Sequence, residues 1–519
     1  MVATAVLFVG GFLAPNFVTN SWSYLELSKT VFTDFFHANT IRSFDNPSPY
    51  SQAFPPLWPV ALAVARRVVD LGIYTGFVLN IPICVALLAA MMRLLRRLEF
   101  PGWVGAACYL CAIVYVAETF SGGGIPITLL LLVGALILLF GESSGVLRIA
   151  MAGLLMGLAC LTRFDGLAPA CVIGVAFALR AYRPERKLQR AVVASIVYFA
   201  VLGVTLSPMM IYGITHFGKL FPSDNTRMVL QANGGGMLDY FKTPPPSDLS
   251  QHPVKWIVGL LRHKVPNVAA AGLRRLEPED ELSPLAVLTV TVLVVWGGSA
   301  PLRLPGRARY FCMLSLILFP VMLAPAILGG LEDSRYYSGT ILLLTTALII
   351  VLVCLVPDVW SPRRTRLMLL AAALPIFPAV VRPMWIYRGQ ELSLAGLMAP
   401  LSPTPIMRQL TEAVHRDSVD QPHRLIFVDS PVAAAKYGAL TGEPLSLVPG
   451  LANGTFADFA RDWHITHVYT GTLERTRWEI GHVRYSSLLR DIHNAGVELV
   501  PLDFPDLYRL RLPSQSPHP

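Results

Sequence analysis

Charged residues are scarce in this chain. Asp, Glu, Lys and Arg make up 14% of the 519 residues, whereas hydrophobic residues make up 54% and the mean hydropathy is +0.54. Soluble globular domains carry about 25% charged residues, so this deficit excludes an ordinary soluble domain and indicates a membrane protein. In that class Lys and Arg collect in cytoplasmic loops, so the net charge of +9 is not evidence of nucleic-acid binding.

Paired cysteines are also lacking. All seven cysteines fall in apolar runs, and Cys108-x-x-Cys111 has no second pair to complete a zinc or redox site. The sequence therefore predicts buried structural cysteines and no disulfide framework. No basic residue precedes Lys29, which disfavours a cleaved signal peptide and favours a first transmembrane helix over 2–17.

Apolar runs of spanning length recur along the first three quarters of the chain. A helix needs about 20 residues to cross a hydrocarbon core of ~30 Å. The segment 56–69 is shorter and ends in charged residues, so we predict an interfacial helix there. With 2–17 included, the sequence predicts about eleven transmembrane helices, the others lying at 73–92, 102–117, 125–140, 146–162, 167–180, 191–215, 284–300, 310–330, 336–356 and 367–386.

Basic residues concentrate in alternate connections between these runs, as cytoplasmic loops do in membrane proteins. The short connections of the opposite set hold Arg163 and Arg335. This asymmetry predicts that the N-terminus lies inside and the C-terminus outside. The connections predicted to lie inside contain Arg93, Arg96, Arg97, Arg148, Arg180, Arg183, Arg186, Lys187, Arg190, Arg303, Arg307, Arg309, Arg363, Arg364 and Arg366.

A change of composition near residue 390 predicts two domains. Residues 1–390 form the transmembrane domain, with an outward loop at 19–72 and an outward segment at 216–283. Residues 391–519 alternate period-2 runs with helix-like stretches, which predicts a small α/β domain on the outside. Its predicted strands are 424–428, 466–470, 497–502 and 507–512, and its predicted helices are 431–440, 455–463 and 483–494.

Two histidines of the tail have a spacing that suggests a metal site. His464 and His467 are three residues apart, but no third ligand or glutamate stands at helical spacing from them. The sequence predicts a surface pair at this position and no metal ligands.

Several short motifs, taken in their order along the chain, resemble those of the GT-C superfamily of integral-membrane glycosyltransferases. They are SWSYLEL at 21–27 with PPLWP at 55–59, LTRFDG at 161–166 and DSRYY at 333–337. Glu118 stands in the second outward turn, where such proteins often carry an acid. The resemblance covers about residues 1–360. The superfamily includes protein mannosyltransferases and the lipid A aminoarabinose transferase.

The resemblance implies an inverting glycosyltransferase. Such an enzyme moves a hexosyl or pentosyl group from a polyprenyl-phosphate donor to a lipid, glycan or protein acceptor at the outer face of the bilayer, here the bacterial inner membrane. It implies no nucleic-acid partner, and either no cofactor or a divalent cation. Two alternatives stay open, a binding protein without transferase activity and a transporter or lipid flippase. The second usually shows internal repeats with broken spans at matching positions, whereas this sequence shows no repeat and its charged features gather on one side.

The catalytic base is the point at which this chain departs from the family. The family's base is usually an Asp just after the first span, and the matching residue here is Asn20, which cannot accept a proton. Three readings remain. Another acid takes over (Asp34, Asp45, Glu26 or Glu118), the short alignment is displaced, or the chain binds without transferring. We expect the base among Asp34 and Glu118, with Asn20 marking the catalytic position.

Substrate-binding residues follow from the same motifs. We expect Arg335 to bind the phosphate, because the fork of an arginine matches phosphate geometry. Arg163 and Asp165 either bind substrate or form a structural ion pair that closes a turn. The cluster around Lys255, Arg262 and Lys264 either contacts the donor or attracts anionic headgroups. The predicted substrate-binding residues are Tyr24, Arg163, Asp165, Arg335, Tyr336, Lys255 and Lys264.

Overall fold

The computed structural model is mostly helical, and it describes part of the chain. The described residues are 19–33, 40–41, 54–113, 123–141, 145–182, 187–221, 252–259, 261–262, 304–329, 338–355, 402–418, 422–427, 431–446, 456–462, 464–471, 473, 489 and 492–513. The spans predicted at 2–17, 284–300 and 367–386 and the domain boundary predicted at 390 lie outside these residues.

Two helices occupy the first outward loop. Helix α1 (Thr19–Thr30) lies at the start of the predicted outward loop, and helix α2 (Leu57–Val68) lies within 56–69, where the sequence predicted an interfacial helix. Helix α2 is amphipathic: Trp58, Leu62 and Ala63 are buried, and Arg66 and Arg67 stand in its last turn. Both helices pack against the bundle that follows.

The apolar runs form long helices close to their predicted positions. A 3₁₀ turn at Phe164–Gly166 separates two of them, and the short helix α9 follows in the outward segment. The helices are α3 (Tyr74–Arg97), α4 (Gly102–Ile113), α5 (Ile125–Leu139), α6 (Val146–Thr162), α7 (Leu167–Ala181), α8 (Lys187–Phe217), α9 (Pro253–Gly259), α10 (Gly306–Gly329) and α11 (Ser338–Leu355).

The length and composition of these helices suit a membrane. Four helical stretches of the described chain are long and apolar enough to cross one: Tyr74–Arg97, Phe164–Ala181, Leu188–Phe217 and Gly306–Ala324. Shorter apolar helices accompany them. Large apolar side chains such as Ile196, Val204 and Ile317 are exposed on the helix surfaces, as expected where lipid tails are the solvent.

Close helix contacts hold the bundle together around one apolar core. Leu87, Met91, Leu136 and Phe311 are almost fully buried in it. Helices α6 and α8 approach so closely at Gly153 that an added Cβ would stand 2.6 Å from the Tyr198 carbonyl oxygen. Small residues at helix crossings favour such packing in membranes. Cysteines 84, 108, 160 and 312 are buried in the core as predicted, whereas Cys171 is exposed on the surface of α7.

The tail forms the predicted α/β domain. Its helices are α12 (Pro405–Asp417), α13 (Pro431–Thr441) and α14 (Phe456–Asp462), of which α12 had not been predicted. Its strands are β2 (Leu425–Phe427), β3 (Leu445–Ser446), β4 (His467–Tyr469), β5 (Glu498–Pro501) and β6 (Leu507–Arg511). Strand β3 is a further element that the sequence pattern had not indicated.

A strand from the first loop completes the sheet of the tail. Strand β1 (Thr40–Ile41) pairs in parallel with β3, and the order is β1-β3-β2-β4-β6-β5. The neighbours β3-β2 and β2-β4 are also parallel, whereas β4-β6 and β6-β5 are antiparallel. Alternation along β2 sends Leu425 and Phe427 toward α12 and α13, and Ile426 toward α14. The sheet therefore has helices on both faces.

Candidate functional site

One end of the bundle contains the first-loop helices and three of the sequence motifs, at 21–27, 55–59 and 161–166; we call it the loop end. It comprises α1, α2, residues 123–124, the 164–166 turn and the last turns of α8. Tyr24 of α1 packs edge-on against Phe54, with ring centroids 4.8 Å apart. Trp58 of α2 is fully buried in the same apolar cluster, which reaches Phe164 and Tyr212. The sequence motifs at 21–27, 55–59 and 161–166 thus meet at one place.

The 164–166 turn carries an ion pair. The Arg163 guanidinium donates to the Asp165 carboxylate from Nε at 3.1 Å and 3.2 Å and from Nη2 at 2.9 Å. The two side chains are 14% and 25% exposed, so the pair is shielded from water but not sealed. Helices α7 and α10 both contact the turn. The ion pair that the sequence allowed as a turn-closing contact is present, and it fixes the guanidinium at the loop end.

Close packing joins this turn to α2 through Gly124. A Cβ on that residue would stand 3.0 Å from Thr162 Cγ2 and 3.1 Å from Trp58 Cγ. Asn80, which is fully buried in α3, donates from Nδ2 to the Gly123 carbonyl at 3.0 Å. Burying a polar side chain inside an apolar helix costs free energy, so such residues usually have a specific role. Here Asn80 holds the end of the connection that precedes α5, a role that the sequence analysis did not assign.

Arg66 of α2 forms a second ion pair and also a hydrogen bond to α1. Arg66 donates from Nε and Nη2 to Asp70 at 2.9 Å and 2.7 Å, and from Nη1 to the Ser28 hydroxyl at 3.1 Å. These hydrogen bonds from Arg66 hold the pKa of the Asp70 carboxyl below its usual value. The ion pair orients the Arg66 guanidinium, and its hydrogen bond to Ser28 joins the two first-loop helices.

The tail domain covers α1. Trp22 and Leu25 pack against Ala435 and Ala439 of α13. Lys29 donates to the Ala439 carbonyl oxygen, and the Lys436 ammonium lies 5.7 Å from the centre of the Trp22 ring. Together with strand β1, these contacts make the first loop part of the interface between the bundle and the tail.

Glu26, one of the acids considered as a base, interacts electrostatically with Arg424 of the tail. It is buried, and its charge opposes the desolvation that lowers the pKa of Arg424 to about 10. Arg424 also donates to the Leu445 carbonyl at 2.8 Å.

The predicted site residues are described unevenly. Asn20 lies in the first turn of α1. Tyr24 is 5% exposed, so its ring supports the loop end from within. Lys255 is exposed on α9. Arg163 and Asp165 form the turn, whereas Asp34, Asp45, Glu118, Lys264, Arg335 and Tyr336 lie outside the described residues.

The opposite end of the bundle is built differently, and we call it the arginine end. Arg93, Arg96 and Arg97 from α3 and Arg307 from α10 line an open cavity of about 600 Å³. The Arg307 Nε lies 3.8 Å from Glu99. The sequence assigned both arginine-bearing connections to one side of the membrane, and the structure brings them together. The tail lies at the other end, with the first loop.

The tail contains a polar cluster that the sequence analysis missed. One carboxylate oxygen of Glu443 lies 2.9 Å from His415 Nε2, and the other lies 2.9 Å from His423 Nε2. The prediction of an exposed pair at residues 464 and 467 is wrong for His467. That side chain is 2% exposed, because it lies on central strand β4 and bonds Asp417 at 2.9 Å. His464 is exposed, as predicted.

Among solved structures, two proteins are similar to this chain at low identity. The oligosaccharyltransferase AglB of Archaeoglobus fulgidus, in complex with an inhibitory peptide and a dolichol-phosphate, is 12% identical and has a TM-score of 0.47. That match covers 90% of this chain and 69% of AglB. Apo AglB gives a TM-score of 0.48 with the same identity and coverage.

The second solved protein is ArnT of Cupriavidus metallidurans bound to undecaprenyl phosphate. It is 13% identical and has a TM-score of 0.37, with 98% of this chain and 96% of ArnT covered. No family model and no curated protein sequence matches the chain. All three of these TM-scores are below 0.5.

Proposed function

We propose that the protein is a membrane glycosyltransferase that moves a sugar from a polyprenyl-phosphate donor to an acceptor at the outer face of the bilayer. The loop end is its active site, and the tail lies on the same, outward side. The observation that carries the proposal is the meeting of three separate motif segments, at 21–27, 55–59 and 161–166, at one end of an apolar bundle.

The chemistry requires few groups. A sugar phosphate already contains a good leaving group, so the enzyme must stabilise the departing phosphate and accept a proton from the acceptor. Arg163 supplies a guanidinium at the membrane edge, held in place by Asp165. Its planar fork suits a phosphate. Arg335 follows α10 in the chain, and α10 contacts the 164–166 turn, so we assign Arg335 to the same phosphate.

The base remains to be assigned among the first-loop and second-turn acids. Asp34 follows α1 in the chain, and Glu118 precedes the Gly123 connection that Asn80 holds. Both positions adjoin the loop end in sequence. Asn20, in the first turn of α1, marks where the departure from the family occurs. We assign proton acceptance to Asp34 first and Glu118 second.

The direct test is turnover. Purified protein in lipid nanodiscs is incubated with a panel of radiolabelled polyprenyl-phosphate sugars, with and without added divalent cation, and released or transferred sugar is measured. We expect transfer to an acceptor, or slow hydrolysis when the acceptor is absent. The matched control is the Arg163→Gln/Asp165→Asn double variant, which removes the ion pair without leaving a lone charge.

The alternatives predict different results. A flippase moves labelled donor across proteoliposome membranes without cleaving it, and a binding protein retains donor lipid without either activity. If no donor of the panel is cleaved while donor lipid is translocated or merely bound, the transferase proposal is wrong.

A further inference from the structure

The cluster His415–His423–Glu443 joins three separate segments of the tail. His415 stands in the last turn of α12, His423 lies two residues before β2, and Glu443 lies between α13 and β3. One ligand atom from each residue can be chosen so that all three lie within 4.8 Å of one another. The fold, and not sequence spacing, creates this convergence.

The three groups are ligands of one metal class. Zinc and similar divalent ions prefer imidazole nitrogens and carboxylate oxygens, and two histidines with one glutamate leave a fourth position open. At Zn–N and Zn–O lengths near 2.1 Å, tetrahedral ligand atoms lie about 3.4 Å apart. The histidine nitrogens lie 2.9 Å from the Glu443 oxygens that they contact, and the chosen ligand atoms lie within 4.8 Å of one another. Binding therefore requires the 2.9 Å contacts to open by about 0.5 Å and the widest separation to close by about 1.4 Å or less.

Burial of the cluster favours a bound cation. The side chain of Glu443 is 10% exposed and that of His423 is 16% exposed, whereas His415 is 53% exposed. A carboxylate so far from water needs a positive partner. Two ligands are thus held inside the domain, and the third lies at the surface, where an ion can enter.

The neighbouring histidine has a different role. His467 lies with its ring centroid 6.4 Å from that of His423. Both of its nitrogens are engaged, Nδ1 with the Thr466 hydroxyl at 2.8 Å and Nε2 with Asp417 at 2.9 Å. It therefore packs beside the cluster and is not counted among the ligands.

We propose that His415, His423 and Glu443 bind a zinc-class divalent cation in the tail domain, with a water or an external group in the fourth position. The ion ties the end of α12 and the entries to β2 and β3 into one unit. This site is separate from the loop end, and the proposal does not depend on glycosyl transfer.

The test uses the full-length protein after treatment with a chelator. Cobalt(II) is titrated while visible absorption is recorded, and zinc is then used to displace it. We expect one bound ion per chain, the intense absorption of tetrahedral cobalt, and a rise in the unfolding temperature with added zinc. His423→Asn and Glu443→Gln should each weaken binding by at least about tenfold, since loss of even a supporting partner costs that much.

His464→Asn is the matched control, because this exposed histidine belongs to the same domain and lies outside the cluster. It should bind cobalt like the parent. The unfolding temperature of each metal-free variant, compared with that of the metal-free parent, reports whether the variant folds. If the parent binds no ion, or if the two cluster variants bind like the parent, the proposal is wrong.

Discussion

The two ends of the bundle use charge in opposite ways. At the loop end Arg163 and Arg66 each have a carboxylate partner within 2.9 Å, and the tail covers α1. At the arginine end four guanidinium groups line an open cavity, with Glu99 at 3.8 Å from one of them. Paired, partly buried charges create a site of fixed geometry, whereas a cluster of like charges creates a field. The first suits a reaction, and the second suits the side of a membrane protein that collects basic residues.

The largest effect should follow from removing the base. One of Asp34→Asn and Glu118→Gln should lower sugar transfer about 10²–10⁴-fold, because general-base assistance contributes that much, and donor-lipid binding should persist. Glu99→Gln, an acid of the arginine end, is the control and should transfer like the parent. Asn20→Asp should restore or raise the rate if the family position is still aligned for chemistry. Parental rates in all of these variants would show that the base lies elsewhere.

Truncating one tryptophan at each end compares how tightly the two ends of the bundle are packed. Trp58 is fully buried at the loop end, whereas Trp103 is 39% exposed near the arginine end. Trp58→Ala should cost about 3–5 kcal/mol of stability, as a large core truncation does. Trp103→Ala should cost under about 1 kcal/mol. Thermal unfolding in the same detergent measures both, and equal losses would mean that the loop end is not the better packed region.

A pair of glycines gives a finer comparison. Gly124→Ala places a Cβ 3.0–3.1 Å from Thr162 and Trp58, so one of these side chains must shift. We expect a loss of about 1 kcal/mol and a reduced transfer rate. Gly203→Ala meets nothing within 4 Å in helix α8 and should be neutral or stabilising by up to about 1 kcal/mol. A neutral Gly124→Ala would refute the close contact.

Acidification should give the smallest effect, through Asp70. Its folded-state pKa lies below the usual 3.8, chiefly because Arg66 donates hydrogen bonds to the carboxylate. A depressed acid pKa stabilises the fold above pH 3.8, and this contribution is lost as the pH falls through the folded pKa. Since Asp70 is 49% exposed, the loss should stay below about 1 kcal/mol. Unfolding between about pH 6 and pH 3 should depend less on pH in Asp70→Asn than in the parent.

Sequence reasoning located the elements whose pattern is local. The apolar run predicted at 73–92 is helix Tyr74–Arg97, and the period-2 run at 466–470 contains strand His467–Tyr469. Helix α1 was missed because its Ser, Thr and Asn residues favour turns and caps over helix interiors. Helix α12 did carry a readable start, since the Thr404 hydroxyl accepts from the Met407 amide and Pro405 follows it.

Features that depend on distant contacts could not be predicted in this way. Strand β1 is two residues long and gains its partner from residues 445–446. His415, His423 and Glu443 meet only after the sheet has formed. The motif at 161–166 singled out Arg163 and Asp165, either as substrate-binding residues or as an ion pair, but it gave no sign that Trp58 and Gly124 pack nearby.

Donor binding tests the central claim most directly. Affinity of the purified protein in nanodiscs for a fluorescent polyprenyl phosphate should fall at least about tenfold in Arg163→Gln/Asp165→Asn, because a charge-assisted hydrogen bond contributes about 1.5–3 kcal/mol. It should be unchanged in Arg93→Gln at the arginine end. Binding that survives in the first variant, or that is lost in the second, would contradict a donor site at the loop end.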